Sequence, residues 1–294
     1  MPRTSTGSSS LRDGSPPTGG VPHRPTEIAD RLALLGVVPS RALGQSFLCD
    51  EFTADAEAAL VELPRGAPVV EVGGGLGLLT EALLRRGLGP ITVIERDRRL
   101  AAHLRRVFGE RVRVTLGDAL RVELGEPAAV VGNLPFSVAT PILTRLFEAR
   151  VPRVVALLQK EVGERYVARP GGRSYGRPAI QASLYGEMER FAVVPAQKFY
   201  PEPAVDGLIV RFTARPGPLP VSSPARCEAL VRQVFGRRRK QLGNILPAVV
   251  GGRARAELLA SKAAWPVGWP RQRPEELPPE AYFALANLIE ERPR

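Results

Sequence analysis

The sequence predicts an α/β fold, a doubly wound sheet with helices on both faces, followed by a small all-α domain. Three observations support this prediction. Short apolar runs bounded by Gly alternate with helical stretches between residues 68 and 158, a pattern typical of buried parallel strands joined by helices. Two later strand-like runs have no long helix between them, which indicates an antiparallel hairpin at the sheet edge. Beyond residue 214 a Pro-rich linker leads into segments of helical character.

Each element follows from its local pattern. Short apolar runs predict strands at 68–72, 91–94, 112–115, 128–131, 154–158, 191–194 and 208–212. Helical patterning predicts helices at 27–37, 52–63, 78–86, 98–108, 225–246, 254–264 and 279–291. Residues 1–24 are dominated by Ser, Gly, Pro, Thr and Arg and cannot bury enough surface to offset their ordering entropy. We therefore expect a disordered extension at 1–24 and domains at 25–213 and 214–294.

The net charge of +11 is concentrated in the second half of the chain. Residues 1–150 carry about +1 and residues 151–294 about +10, which favours a polyanionic partner such as nucleic acid. A well-solvated basic surface explains the charge alone equally well. The longest apolar runs are too short for a membrane span. Two Cys and two His residues argue against a disulfide framework or a metal site and favour the reducing cytoplasm.

A glycine-rich loop follows the first strand of the sheet. Residues 71–77 read Glu-Val-Gly-Gly-Gly-Leu-Gly, and glycines at Gly73 and Gly75 allow a tight turn and close approach to a ligand. The third glycine of a dinucleotide fingerprint would fall at position 78, which is Leu78. The spacing therefore disfavours a pyrophosphate cofactor and resembles the loops that bind S-adenosylmethionine (SAM).

Acidic residues end the next two predicted strands. Glu95 lies 22 residues after Gly73, where a carboxylate can bind both ribose hydroxyls, and Asp118 is placed to accept hydrogen bonds from an adenine amino group. Taken singly, each is equally well an exposed acid at a strand end. Because ligands of open α/β sheets bind at the carboxyl ends of the strands, the three strand ends together predict one nucleoside site.

The fourth strand ends in Asn133-Leu134-Pro135-Phe136, the most informative segment of the sequence. An amino group on a planar ring is a poor nucleophile because its lone pair is delocalised. The Asn133 amide oxygen and the Leu134 carbonyl can accept its hydrogens and orient that lone pair, while Pro135 stiffens the turn. Phe136 can stack on a flipped-out base. A loop holding a buried aromatic residue is the alternative interpretation.

Several further motifs occur in a fixed order around these segments. They are Leu43-Gly44-Gln45-Ser46-Phe47-Leu48, the segment 159–165, Pro170-Gly171 through Tyr175-Gly176, the segment 199–206 and Phe235-Gly236-Arg237-Arg238-Arg239-Lys240. Together with the glycine loop, the two acids and the Asn133 tetrapeptide, they resemble the ribosomal RNA adenine dimethyltransferase family. The resemblance covers roughly residues 40–245, with weaker agreement to the end.

The resemblance implies a Rossmann-like SAM-dependent methyltransferase sheet in which SAM is held by Ser46, Leu48, Gly73, Gly75, Glu95, Asp118 and Asn133. It implies dimethylation of the N6 amines of two adjacent adenosines in the 3′-terminal hairpin of 16S rRNA, by a cytoplasmic monomer that acts in small-subunit biogenesis. Arg237, Arg238, Arg239 and Lys240, expected within a helical stretch, would contact RNA phosphates.

Three departures from the family pattern bear on the site. Ser46 stands where Asn is usual, Gly74 where Pro is usual, and Phe136 where Tyr is frequent. We expect a weaker cofactor contact at Ser46 and a looser loop at Gly74. Two alternatives stay open at this point: a large-subunit rRNA adenine methyltransferase of the antibiotic-resistance type, and a non-catalytic ribosome-assembly or transcription factor on the same scaffold.

Overall fold

A computed structural model describes residues 21–40, 44–135 and 137–290. The strands are β1 (Phe47–Leu48), β2 (Val69–Val72), β3 (Ile91–Glu95), β4 (Val112–Leu116), β5 (Ala129–Asn133), β6 (Arg153–Gln159), β7 (Gly186–Val194), β8 (Phe199–Tyr200) and β9 (Gly207–Ala214). The helices are α1 (Pro25–Leu34), α2 (Glu51–Ala59), α3 (Leu78–Arg85), α4 (Arg98–Phe108), α5 (Ala139–Glu148), α6 (Lys160–Tyr166), α7 (Arg177–Tyr185), α8 (Pro224–Phe235), α9 (Leu242–Val250), α10 (Arg253–Lys262) and α11 (Pro279–Glu290). Short 3-10 turns lie at Gly109–Arg111, Ala196–Lys198, Trp269–Arg271 and Pro274–Glu276.

Seven strands of the described chain form one mixed sheet in the order β4-β3-β2-β5-β6-β9-β7. Neighbours from β4 to β6 pair in parallel, whereas β9 runs antiparallel to both β6 and β7. The predicted doubly wound sheet with a late antiparallel pair at its edge is therefore confirmed. The remaining two strands, β1 and β8, pair antiparallel in a separate small ribbon.

Helices cover both faces of the sheet, because successive strand residues point to opposite sides. Val69 and Val131 lie in one buried cluster with residues of α2, α3 and α4. Val70 and Val130 lie in a second cluster, which extends through α5 and α7 into the C-terminal helices. The sheet thus places its carboxyl edge between two rigid layers.

The first described residues also pack into the hydrophobic core. Val21, within the predicted extension, is buried in the same cluster as Val69, so residues 21–24 include part of the fold. Residues 1–20 lie outside the described residues.

The prediction of one continuous helix over 225–246 is wrong. Helix α8 ends at Phe235, residues 236–239 form turns, and α9 begins at Leu242. Residues 236–241 contain no apolar side chain, so nothing in this segment can anchor a helical turn to the core. The Leu242 N–H instead donates to the Gln272 carbonyl at 2.8 Å, which fixes the start of α9 separately. The basic cluster therefore lies in a connection between helices and not within a helix.

Among the described helices, none is both long enough and apolar enough to cross a membrane.

Candidate active site

Four adjacent strands end at one cavity on the carboxyl edge of the sheet. The cavity is lined by Asp118 after β4, Glu95 at the end of β3, the glycine loop after β2 and Asn133 at the end of β5. The segment around β1 forms a further part of its wall. All the cofactor-binding residues predicted from the sequence line this cavity, namely Ser46, Leu48, Gly73, Gly75, Glu95, Asp118 and Asn133.

The described residues of the tetrapeptide that the sequence predicts to be catalytic lie at the same cavity. Leu134 and Pro135 line the wall beside Asn133, whereas Phe136 lies outside the described residues. The predicted RNA contacts Arg237, Arg238, Arg239 and Lys240 do not line it.

The glycine loop has the backbone geometry that its sequence predicts. Gly73 and Gly75 have φ of 80° and 55°, left-handed values that favour glycine. A Cβ on Gly75 would lie 3.2 Å from the ring of Phe47, and one on Gly73 would lie 3.8 Å from the Asn133 carbonyl oxygen. The two glycines thus form a cradle that side chains would narrow.

Gly74 does not loosen this loop, contrary to expectation. It is buried, and an added Cβ would lie 2.4 Å from Val93 Cγ1 and 2.9 Å from Leu104 Cδ1. The Gly77 N–H donates to the Gly74 carbonyl at 2.8 Å. The absence of a side chain has let the loop pack directly onto the layer beneath it.

Glu95 is held rigidly at the wall of the cavity. Its Oε2 accepts the Gly75 N–H at 3.0 Å and its Oε1 accepts the Asp97 N–H at 2.9 Å. Burial raises the pKa of Glu95, and the backbone N–H donors oppose that rise. Since each carboxylate oxygen accepts more than one hydrogen bond, both oxygens can still receive a ligand hydroxyl.

Asp118 is half-buried and similarly oriented by the backbone. Its Oδ1 accepts the Leu120 N–H at 2.9 Å. Its Oδ2 has no hydrogen-bond partner among the described residues, which leaves an acceptor for a ligand amino group at this wall of the cavity.

Asn133 is positioned by a close approach of two strands. A Cβ on the preceding Gly132 would lie 2.4 Å from the Val72 carbonyl oxygen, so only glycine permits this spacing. The Asn133 Nδ2 donates to the Ser46 carbonyl at 3.1 Å, and the Leu134 N–H donates to the Leu157 carbonyl at 3.1 Å. The Asn133 Oδ1 and the Leu134 carbonyl oxygen, in contrast, have no partner within the described part of the chain. Two acceptors are therefore left at one strand end, as the orientation of an amine requires.

Ser46 makes a contact within the protein that the sequence did not predict. Its hydroxyl donates to the Pro201 carbonyl, and the adjacent Phe47 pairs with Tyr200 across the β1–β8 ribbon. The shorter side chain thus ties the N-terminal wall of the cavity to the segment 199–206.

Among the residues of the cavity wall that sequence reasoning missed, one is acidic and buried in a helix. Glu57 of α2 is fully buried and lines the cavity together with Glu71 of β2. The signal was present, because Glu57 falls in the helical stripe of buried residues Ala54, Ala58 and Val61, where an acidic side chain is unusual.

The fold and the cavity define a SAM-dependent methyltransferase. The strand order is characteristic of that class, the glycine cradle and the acceptors on Glu95 and Asp118 suit an adenosine, and the acidic lining suits a sulfonium cation. The model of the family described as ribosomal RNA adenine dimethylase matches residues 40–264. The chain belongs to that family and is an rRNA adenine N6,N6-dimethyltransferase that uses SAM as its methyl donor.

Individual relatives agree with this assignment. The chain is 38% identical over 260 residues to the ribosomal RNA small subunit methyltransferase A of Gloeobacter violaceus, covering 85% of this chain and 93% of the relative. It is 36% identical over 277 residues to the protein of the same name from Opitutus terrae, covering 90% and 98%.

Solved structures support the fold. A dimethyladenosine transferase from Plasmodium falciparum superimposes with a TM-score of 0.68 at 22% identity, covering 81% of this chain and 95% of that one. The 23S rRNA methyltransferase ErmE gives a TM-score of 0.67 at 26% identity, covering 83% and 100%.

Proposed function

We propose that the substrate is small-subunit rRNA and that the protein dimethylates two adjacent adenosines in the 3′-terminal hairpin of 16S rRNA. The observation that carries this choice is the 36–38% identity, over most of the chain, to proteins named ribosomal RNA small subunit methyltransferase A. A monomeric state, a cytoplasmic location and a role in small-subunit biogenesis are parts of the same proposal.

The target amine is held by the acceptors at the end of β5. The Asn133 Oδ1 and the Leu134 carbonyl accept its two hydrogens, so its lone pair is turned toward the cofactor side of the cavity. Bound SAM supplies an electrophilic methyl group on a sulfonium. Catalysis is then mainly positioning for a direct in-line transfer, with Pro135 stiffening the turn and Phe136 stacking on the base.

Proton removal needs no dedicated base in this scheme. The amine becomes acidic once it is methylated and can release its proton to solvent. The Asn133 amide and the Leu134 carbonyl, which do not titrate near neutral pH, therefore suffice at the reacting atom.

A basic surface next to the C-terminal helices is suited to the RNA backbone. Arg165 of α6, Arg173, Arg177 of α7 and Arg232 of α8 line one groove. All four are exposed and have no ion-pair partner among the described residues. Several guanidinium groups on one groove can neutralise several phosphates. We propose that residues 25–213 hold SAM and the target amine and that residues 214–294, with this groove, hold the RNA.

The basic cluster adjoins this groove but is not uniform. Arg238 donates to the Arg173 carbonyl at 2.7 Å and lies 3.7 Å from the Glu275 carboxylate. Arg237 and Arg239 are exposed and make no side-chain contact of this kind within the described chain. Arg238 therefore holds the cluster against the groove, while Arg237 and Arg239 are available to phosphates.

A large-subunit adenine is the second candidate substrate, favoured by the likeness to ErmE. An enzyme acting on that substrate would use the same cavity and would differ only in the RNA that it recognises. The two candidates differ in where the methyl groups are placed.

The test is to incubate the protein with labelled SAM and small subunits that lack the modification, with large subunits, naked 16S rRNA and mature small subunits in parallel. We expect label and primer-extension arrest at two adjacent adenosines near the 3′ end of 16S rRNA only in the unmodified small subunit. Arrest at a large-subunit adenine would overturn the proposal in favour of the second candidate.

A further inference from the structure

The basic groove also contains acidic side chains. Besides its arginines, Glu161, Glu164 and Glu228 line it. In the part of the chain that the structure describes, none of these carboxylates forms an ion pair with an arginine of the groove. A carboxylate repels a phosphate, so these side chains do not serve the RNA backbone. They are suited instead to accept hydrogen bonds from amino groups on the edges of bases.

Glu228 is the carboxylate that the fold fixes in orientation. Its Oε1 accepts the Gln181 amide at 3.2 Å and the Tyr185 hydroxyl at 3.4 Å. The Thr144 hydroxyl donates in turn to the Gln181 Oε1 at 3.2 Å, so side chains of α5, α7 and α8 hold this group in place. The Glu228 Oε2 has no partner among the described residues and is not sealed inside the protein, since the half-buried side chain lines the groove. It is therefore an oriented acceptor that a ligand can reach.

Two arginines lie one helical turn from these polar groups. Arg177 precedes Gln181 by four residues on α7, and Arg232 follows Glu228 by four residues on α8. Residues four apart share one face of a helix, and all of these side chains line the groove. Among the ion pairs of the described residues, none joins Glu228 to Arg232. Each helix thus presents a guanidinium for a phosphate and a polar group for a base edge, which are the two parts of one nucleotide.

Apolar side chains form much of the remaining groove lining. They include Ile180 and Leu184 of α7 and Val231 and Phe235 of α8. Phe235 is half-buried, so part of its ring is open to stack on a base, a contact that every base can make. The groove has a volume of about 1160 Å³, above the range of about 300–1,000 Å³ that is typical of small-molecule sites. It therefore has room for a nucleotide.

Helix α5 separates this groove from the catalytic cavity. Val138 and Ile142 line the cavity, whereas Thr140 and Thr144 line the groove. The two pairs are offset by two residues, about 200° around the helix axis, so they face nearly opposite sides of the same helix. An α-helix with its side chains is about 10 Å across, a distance that two adjacent nucleotides can span when their bases are splayed apart.

We propose that the groove holds the nucleotide adjacent to the target adenosine and that Glu228 recognises the exocyclic amino group of its base. The inference rests on the proposed function, in which two adjacent adenosines are methylated. While one adenosine occupies the cavity, the other lies on the opposite side of α5. Its N6 amine donates to the Glu228 Oε2, and Arg177 and Arg232 hold its phosphate. A dimethylated adenosine has no N–H to donate, so Glu228 acts in the methylation of the first adenosine only.

Base substitution beside the target tests this inference. Small subunits are reconstituted with unmodified 16S rRNA in which cytidine or uridine replaces one of the two adenosines, at each position in turn. Cytosine and uracil have nearly the same size, but uracil has a carbonyl oxygen in place of the amino group, and a carboxylate repels it. For at least one position we expect the wild type to methylate the remaining adenosine about tenfold faster beside cytidine than beside uridine, the scale of one specific base contact. Glu228→Gln should reduce this ratio to about one, because an amide accepts from cytosine and donates to uracil.

Glu161→Gln is the matched control. It removes the same charge from the same groove, at an exposed position that no described side chain anchors, and it should keep the wild-type ratio. Because each ratio compares two RNAs on one variant, a loss of stability would lower both rates and leave the ratio unchanged.

Three results would each overturn the inference. They are equal wild-type rates beside cytidine and uridine at both positions, a ratio that persists in Glu228→Gln, and an equal loss of the ratio in Glu161→Gln. If the wild type does not methylate small subunits that carry unsubstituted 16S rRNA, the proposed function itself fails, which is a different result.

Discussion

Gly74 illustrates how closely the glycine loop packs against the layer beneath it. The nearest atoms to an added Cβ belong to Val93 and Leu104, both in the buried layer beneath the loop. We predict that Gly74→Ala lowers the free energy of unfolding by about 1–3 kcal/mol, the usual cost of overpacking, and weakens SAM binding because the loop must shift. Urea denaturation and calorimetry measure the two effects. Gly268→Ala is the control, since a Cβ there meets no atom within 4 Å, and equal destabilisation of both variants would contradict the packing argument.

Single residues were predictable where the chemistry lies at a strand end. Glu95, Asp118 and Asn133 could be identified because parallel strands bring their carboxyl ends to one edge. The bond from Ser46 to Pro201 could not be predicted, because it depends on a contact between segments distant in sequence. The Ser46 hydroxyl reaches a carbonyl 155 residues away, and no local pattern encodes that pairing.

Among the structural elements, the connection between α8 and α9 is the segment in which substitutions test RNA binding most directly. Arg237 and Arg239 are exposed in this turn and are not tied to the described fold. We predict that reversing both to Glu weakens rRNA binding and lowers the salt slope by roughly 0.7–0.9 for each phosphate that these side chains no longer neutralise, with SAM affinity unchanged. Filter binding across a salt series measures this. Arg253→Glu with Arg255→Glu on α10 makes the same charge change at exposed positions, and an equally weakened control would mean that net charge alone is responsible.

Strands were predicted better than helices, for a physical reason. Apolar runs bounded by Gly mark β2 to β6 directly, whereas α5 and α7 carry Pro141 and Pro178 within their first turns. Proline there removes an N–H that has no partner within the helix, so it does not break the helix although it interrupts the pattern. The turn between α8 and α9 was missed for the opposite reason. Its charged residues are compatible with a helical pattern, but none of them packs against the core, so no helix forms there.

At the scale of the molecule, the sheet and the C-terminal helices share one hydrophobic core. Phe147 stacks on Tyr185 at 6.2 Å, and the Tyr185 hydroxyl donates to Glu228 of α8 at 3.4 Å. The Tyr175 hydroxyl donates to the Leu277 carbonyl at 3.0 Å. Under the proposed division of roles, in which residues 214–294 hold the RNA, this continuous packing fixes the RNA relative to the cavity.

We therefore predict one cooperative unfolding transition for the whole chain. Both tryptophans, Trp265 and Trp269, are buried in the C-terminal part, so tryptophan fluorescence follows the helices while circular dichroism follows the entire protein. The two denaturation curves should coincide. An earlier fluorescence transition would show that residues 214–294 unfold independently and that the shared core does not couple the two parts.

In the proposed mechanism, acceptors at the end of β5 orient the target amine for transfer from SAM. The direct test is the single-turnover rate of methyl transfer by Asn133→Ala on unmodified small subunits, measured with SAM and RNA both saturating. We predict a rate about 100-fold lower than that of the wild type, the scale of misplacing a reacting group, with both ligands still bound. A near-normal rate with both ligands bound would contradict this role of Asn133.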